Sequence, residues 1–129
     1  MGSVPAFLLK KLYVKGSLKN TSSGFELSIQ NTLAPGTIAG LEPLKVDGVE
    51  YPLAQTFVVL ADGNRLCAFE VSSAAPLRFD IGARVTLQVE GKPLSTGSHT
   101  MTVSPKTREA GRLEITAQDS ITQDEYAPA

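Results

Sequence analysis

His99 and Cys67 are the only histidine and the only cysteine among the 129 residues, so general-base and thiol chemistry each have one side chain to start from. Acyl transfer of the Ser-His-Asp type needs an imidazole poised between a nucleophile and an acid. His99 instead stands in phase with Met101 and Val103 in an alternating run, with Thr100 and Thr102 on the other face. That phase predicts a packed imidazole, hydrogen-bonded to a neighbour, and leaves His99 a weak ligand candidate. Cys67 alternates with Phe69 and Val71, as a small core hydrophobe does. One histidine and one cysteine fall short of the roughly four ligands of a zinc site. Asp47, Asp62, Asp80 and Asp119 are too scattered for a calcium loop, and two of them sit in turn sequences. Glu26, Glu50, Glu70, Glu90 and Glu114 read as outward or edge charges on strands, although folding could bring a glycosidase-like pair of carboxylates together. The residues from Gly36 to Gly40 lack both the lysine ending and the following helix of a phosphate loop. The sequence therefore assigns no catalytic residue, no metal and no cofactor.

Twelve basic residues against thirteen acidic ones give a net charge of −1. No basic run neutralises phosphates, which argues against nucleic acid as a partner. The apolar run from Val4 to Leu9 is broken by Pro5 and stopped by Lys10 and Lys11, far short of a membrane span. A single cysteine fits a reducing compartment, so the expected location is cytoplasmic, with no membrane partner.

The elements that would position these groups are strands. Phe25, Leu27 and Ile29 alternate with Glu26, Ser28 and Gln30, and the same period of two recurs in the runs beginning at Val85, His99 and Leu113. Asp47-Gly48 and Asp62-Gly63-Asn64 each separate two apolar runs and carry the residues that accept positive φ in tight hairpins. The segment from Val85 to Val103 reads as a hairpin around a Gly-Pro-Gly connection, and Phe7 to Val14 as an opening strand. Prolines at 35, 43, 52, 76, 93 and 105 would interrupt any long helix. The expectation is an all-β, antiparallel β-sandwich, jelly-roll or immunoglobulin-like, of about eight or nine short strands. It forms a single domain over residues 1–121, followed by a flexible acidic tail over 122–129.

Two stretches depart from this rhythm. Ser72 to Asp80, with Leu77 and Phe79, reads as a crossing between sheets that plugs one end of the core. Asn31 to Pro43 reads as a loop mixing turn residues with Leu33, Ile38 and Leu41, apolar groups that must be buried in the domain or in a partner. These three are the candidate partner-interface residues.

The succession Gly24-Phe25-Glu26-Leu27, the Pro/Gly loop to Leu41, Val46-Asp47-Gly48-Val49-Glu50, Val85-Thr86-Leu87-Gln88-Val89 and Leu94 through His99 to Val103 resembles the small β subunits of C-glycoside deglycosidases. The resemblance covers roughly residues 12 to 104 as a pattern of strands and turns. It implies a non-catalytic accessory subunit of a carbon-glycoside lyase complex, bound to a larger catalytic subunit that carries the metal and the acid/base groups. A small-molecule or carbohydrate-binding module is the alternative, weakened by the absence of Trp and the few aromatic residues. Self-association through an unpaired sheet edge is a further expected mode of contact.

Overall fold

The structure, a computed structural model, describes residues 4–122 and 126–127. Its first sheet is built on β2 (Gly24–Gln30), which buries Phe25, Leu27 and Ile29 as the alternation predicts. On one side β2 pairs with β1 (Lys19–Thr21), and on the other with β9 (Arg84–Glu90). β9 then pairs with β6 (Thr56–Val59), and β6 with β7 (Arg65–Cys67). All these pairings are antiparallel. At the far edge, β14 (Tyr126–Ala127) joins β1 in parallel. The rest of the expected flexible tail, residues 123–125 and 128–129, lies outside the described residues.

The second sheet has the order β13 (Ile115–Ile121), β10 (Gly97–Val103), β4 (Leu44–Val46), β5 (Val49–Tyr51). The third runs β12 (Gly111–Arg112), β11 (Pro105–Thr107), β3 (Gly36–Leu41), β8 (Leu77–Phe79). These two sheets are halves of one folded layer. β10 passes into β11 through Ser104, and β3 into β4 through Glu42 and Pro43. The Glu42 N–H donates to the Ser104 carbonyl at 3.1 Å across the fold line. Pro43 and Pro105 flank that line, where missing N–H donors interrupt a ladder at least cost. Between this layer and the first sheet lies the core, with Phe25, Leu27, Val58 and Val89 facing Ile38, Val46, Met101 and Ile115, all of them almost fully enclosed. The Phe25 ring meets Tyr51 edge-on at 5.2 Å.

The all-β, antiparallel, sandwich-like class holds, and both tight hairpins form. Asp47 and Gly48 join β4 to β5 with φ of 53° and 83°, the two positive values of a type I′ turn. Asp62 to Asn64 joins β6 to β7, with the Asn64 N–H donating to Asp62 Oδ1 at 2.9 Å. Ser72 to Asp80 carries the chain from the first sheet into the third.

Four local expectations are corrected. Phe7 to Val14 is no strand: Ala6–Leu9 form a short helix, α1, continued by a 3-10 turn over Lys10–Leu12. The buried residues are Leu9, Leu12 and Tyr13 while Phe7 is 66% exposed, a spacing of three and four that belongs to a helix. The second half of the expected loop from Asn31 to Pro43 holds the strand β3, in which Ile38 and Gly40 turn inward and Thr37, Ala39 and Leu41 outward. The run after Asp62-Gly63-Asn64 ends at Cys67, and a 3-10 turn over Ala68–Glu70 sends Ala68 into the core and leaves Phe69 59% exposed. Finally, Val85 to Val103 is not a hairpin: β9 and β10 lie in different sheets, and the Gly-Pro-Gly connection crosses between them.

Candidate functional site

His99 is buried, and both of its ring nitrogens have partners. Its ring is 7% exposed. Nδ1 lies 2.6 Å from Asp47 Oδ2, and Nε2 lies 2.7 Å from the Ser95 carbonyl oxygen. Both partners accept, so both ring nitrogens must donate, which describes the imidazolium. Burial is the strongest single influence on the ring and pulls its pKa down, but the Ser95 carbonyl and the Asp47 carboxylate together outweigh it and hold the pKa above the ordinary histidine value. Asp47 also accepts the Thr100 N–H at 2.9 Å through Oδ1. That backbone bond, followed by the histidine, keeps its carboxyl below the ordinary range. While both nitrogens donate in this way, His99 offers no lone pair to accept a proton.

The other single-residue candidates are also committed. The Cys67 thiol is half-buried and donates to the Leu53 carbonyl at 3.3 Å. Glu26, Glu50, Glu90 and Glu114 each sit beside a cation: Lys19 at 3.8 Å, Lys45 at 3.8 Å, Arg65 at 3.4 Å and Arg112 at 3.4 Å. They are paired surface charges rather than facing carboxylates.

Among the described residues, one depression is lined almost wholly by apolar groups, a small cleft of about 110 Å³. Three segments build it: the turn from Asn31 to Gly36, the start of the chain at Val4 with Leu12, and the end of the β11–β12 hairpin from Thr107 to Leu113. Phe79 of β8 also lines it. A second, more polar depression of about 270 Å³ shares Val4, Ala110 and Leu113 with it and is bordered by Arg112 and Glu114. Glu109 stands at the rim, its two carboxylate oxygens accepting the Thr37 N–H at 2.8 Å and the Thr37 hydroxyl at 3.0 Å. The first of these bonds is the main reason its pKa lies below the ordinary value.

Of the three apolar residues expected to meet a partner, Leu33 lines this cleft. Ile38 is 1% exposed in the core and Leu41 is half-buried opposite Pro105, so neither reaches the cleft. Asn31, which sequence reading passed over as a turn residue, shapes the site. It is 3% exposed. Its side-chain amide donates to the carbonyls of Ala34 and Phe79, and its Oδ1 accepts the Leu33 N–H at 3.0 Å. The Leu33 contact is an Asx turn, recognisable from an Asn at the start of a loop; the reach to Phe79 needed the fold.

Among the described residues, no helix is long and apolar enough to cross a membrane. No curated protein matches the sequence. A family model does match, over residues 8–122, and it is not that of the C-glycoside deglycosidase β subunits. The resemblance to those subunits is thereby overturned, and the carbon-glycoside lyase complex with it. Its V-D-G hairpin and closing strand follow from hairpin geometry that many sandwiches share, and it rested on no residue with a chemistry of its own. By the match, which spans nearly all of the described chain, this protein belongs to the family described as Hydroxymethylglutaryl-CoA reductase, N-terminal domain.

Proposed function

We propose that the chain is a non-catalytic accessory domain that works by contact with a protein partner. The family description makes the catalytic portion of a hydroxymethylglutaryl-CoA reductase the partner of choice. The observation that carries the reading is the cleft at Leu33. This open cleft of about 110 Å³ is well below the roughly 300–1,000 Å³ of sites that enclose small molecules, and suits an apolar side chain of another protein. An apolar centre bordered by Glu109, Arg112 and Glu114 has the arrangement of a protein interface, with a desolvated middle and a charged rim. The commitment of His99, Cys67 and the strand glutamates to internal partners supports a role without turnover.

Titration of the chain with that catalytic portion from the same source, followed by sedimentation, tests the proposal. Saturable complex formation is expected, weakened at least tenfold by Leu33→Asp. Absence of a complex, or equal binding by the variant while it remains folded, overturns it. Self-association of the chain alone, insensitive to Leu33→Asp, also counts against it.

A further inference from the structure

The crossing between β9 and β10 starts and ends at glycines and is held by side chains. Gly91 and Gly97 stand at its two ends with φ of 152° and 121°, in the range that favours glycine. A Cβ added at either would meet nothing within 4 Å, so the glycines serve backbone conformation rather than close packing. Between them run Lys92, Pro93, Leu94, Ser95 and Thr96, largely exposed apart from the half-buried Leu94, which packs against the core.

Among the described residues, no ladder holds this segment, since β9 and β10 belong to different sheets. Two side chains hold it instead. Asn20 of β1 imitates a strand: its Nδ2 donates to the Leu94 carbonyl at 2.9 Å and its Oδ1 accepts the Leu94 N–H at 2.8 Å. His99 of β10 donates from Nε2 to the Ser95 carbonyl at 2.7 Å, while its Nδ1 is anchored on Asp47 in the β4–β5 turn. One of the two locks therefore depends on a proton.

We propose that the segment from Lys92 to Thr96 is a proton-gated flap, shut while His99 carries hydrogen on both ring nitrogens and opening about Gly91 and Gly97 when one is lost. The proton that leaves is the one on Nε2, and it passes to solvent. Nδ1 keeps its own because its acceptor is an ionised carboxylate, the stronger of the two. The ring then turns a lone pair toward the Ser95 oxygen, and two acceptors at 2.7 Å repel. The charged surroundings favour the protonated, closed state: Asp47 from the β4–β5 turn touches the ring, and Asp119 of β13 stands opposite His99 in the ladder. Asp119 is itself bound by the Tyr13 hydroxyl. Lys92, on the flap, and Lys106 of β11 are the positive groups nearest to His99 in the chain, and both are exposed. Opening would uncover the apolar ground beneath Leu94.

Because His99 is the only histidine, its ring nitrogens can be followed by NMR in the intact chain without assignment ambiguity. A single titration step above the ordinary value near 6.5 is expected. Across the same step, the protection factor of the Leu94 amide should fall at least tenfold, while core amides of β2 and β9 keep theirs. In Asp47→Asn both transitions should move together to lower pH. A ring already neutral at pH 6 overturns the proposal. So does a ring that titrates without change at Leu94, or a loss of protection shared by the core, which would be global unfolding. The wild-type titration decides the matter even if the variant does not fold.

Discussion

The Tyr13 hydroxyl lies 2.6 Å from Asp119 Oδ2, although 106 residues separate them in sequence. The same carboxylate oxygen accepts the Gly16 N–H at 2.8 Å, and Oδ1 accepts the Ser120 N–H at 2.8 Å. One aspartate on β13 thus fastens the exit of the N-terminal helical turn to the second sheet and closes that side of the sandwich. Burial, and then the aspartate, push the Tyr13 pKa upward. Burial also works against the Asp119 charge, but the Tyr13 hydroxyl and the backbone donors outweigh it and hold its carboxyl below the ordinary value. Tyr13→Phe keeps the ring and removes the bond. The expected loss is about 1.5–3 kcal/mol, because the acceptor is charged and partly buried, read as a shift of the urea midpoint without change in slope.

Stability should fall on both sides of a window. His99 has a raised pKa when folded, so its contribution is complete below about 6.5 and disappears as pH rises through the folded value. Asp47 and Asp119 have lowered values, so theirs is complete above about 3.9 and disappears as pH falls through the folded values. Urea midpoints from pH 3 to 9 should form a plateau between those limits. In Asp47→Asn the alkaline descent should be smaller and should end at lower pH, because only the folded value of His99 falls.

Asn31 is buried with three bonds to the backbone, so Asn31→Ala leaves the Phe79 and Ala34 carbonyls and the Leu33 N–H without that partner. A cost of about 1–3 kcal/mol is expected from unmet buried groups. Amide exchange should quicken across residues 31–36 before it does in β2, since the Asx turn is what gives the cleft its wall.

Gly24 is fixed by a different constraint. Its φ is not positive, yet a Cβ there would lie 1.9 Å from the Val89 carbonyl oxygen. Gly24→Ala must push β2 and β9 apart at their common end, and a loss of about 1–3 kcal/mol, the range for overpacking, should appear in thermal melts. Gly48→Asn is the contrasting case: the space is open and asparagine accepts the turn, so the change should be within about 1 kcal/mol.

What could be read from the sequence was whatever lay within one or two strands. The period of two at Phe25, Leu27 and Ile29 and the Asp47-Gly48 turn are local, and both hold. The helical spacing of Leu9, Leu12 and Tyr13 was equally local, but it covers little more than one turn and the same letters fit a strand. Which sheet receives a strand is a matter of distant partners, and so β9 and β10 passed for a hairpin. The candidate site was half legible. Leu33 was found because an apolar residue in a turn invites a partner, whereas Val4, Phe79 and Leu113 arrive at the cleft from separate parts of the chain. The phase of His99 predicted a packed, hydrogen-bonded ring, and it is one. Its Asp47 partner, 52 residues away, was beyond pattern reading.

The pairing of β2 with β9 places Gly24 opposite Glu90 and Gln30 opposite Arg84, and this has a consequence for how the molecule comes into being. During synthesis β2 emerges early, yet its central partner follows only after some sixty further residues, and the first sheet cannot be assembled until then. In the interval Phe25, Leu27 and Ile29 form an apolar strand with an open edge, the kind of segment that aggregates or recruits chaperones. The β4–β5 and β6–β7 hairpins can close at once from their own turns. The order of events on the ribosome should therefore be small hairpins first and the central β2–β9 ladder late, making nascent chains that stop before residue 84 the vulnerable ones.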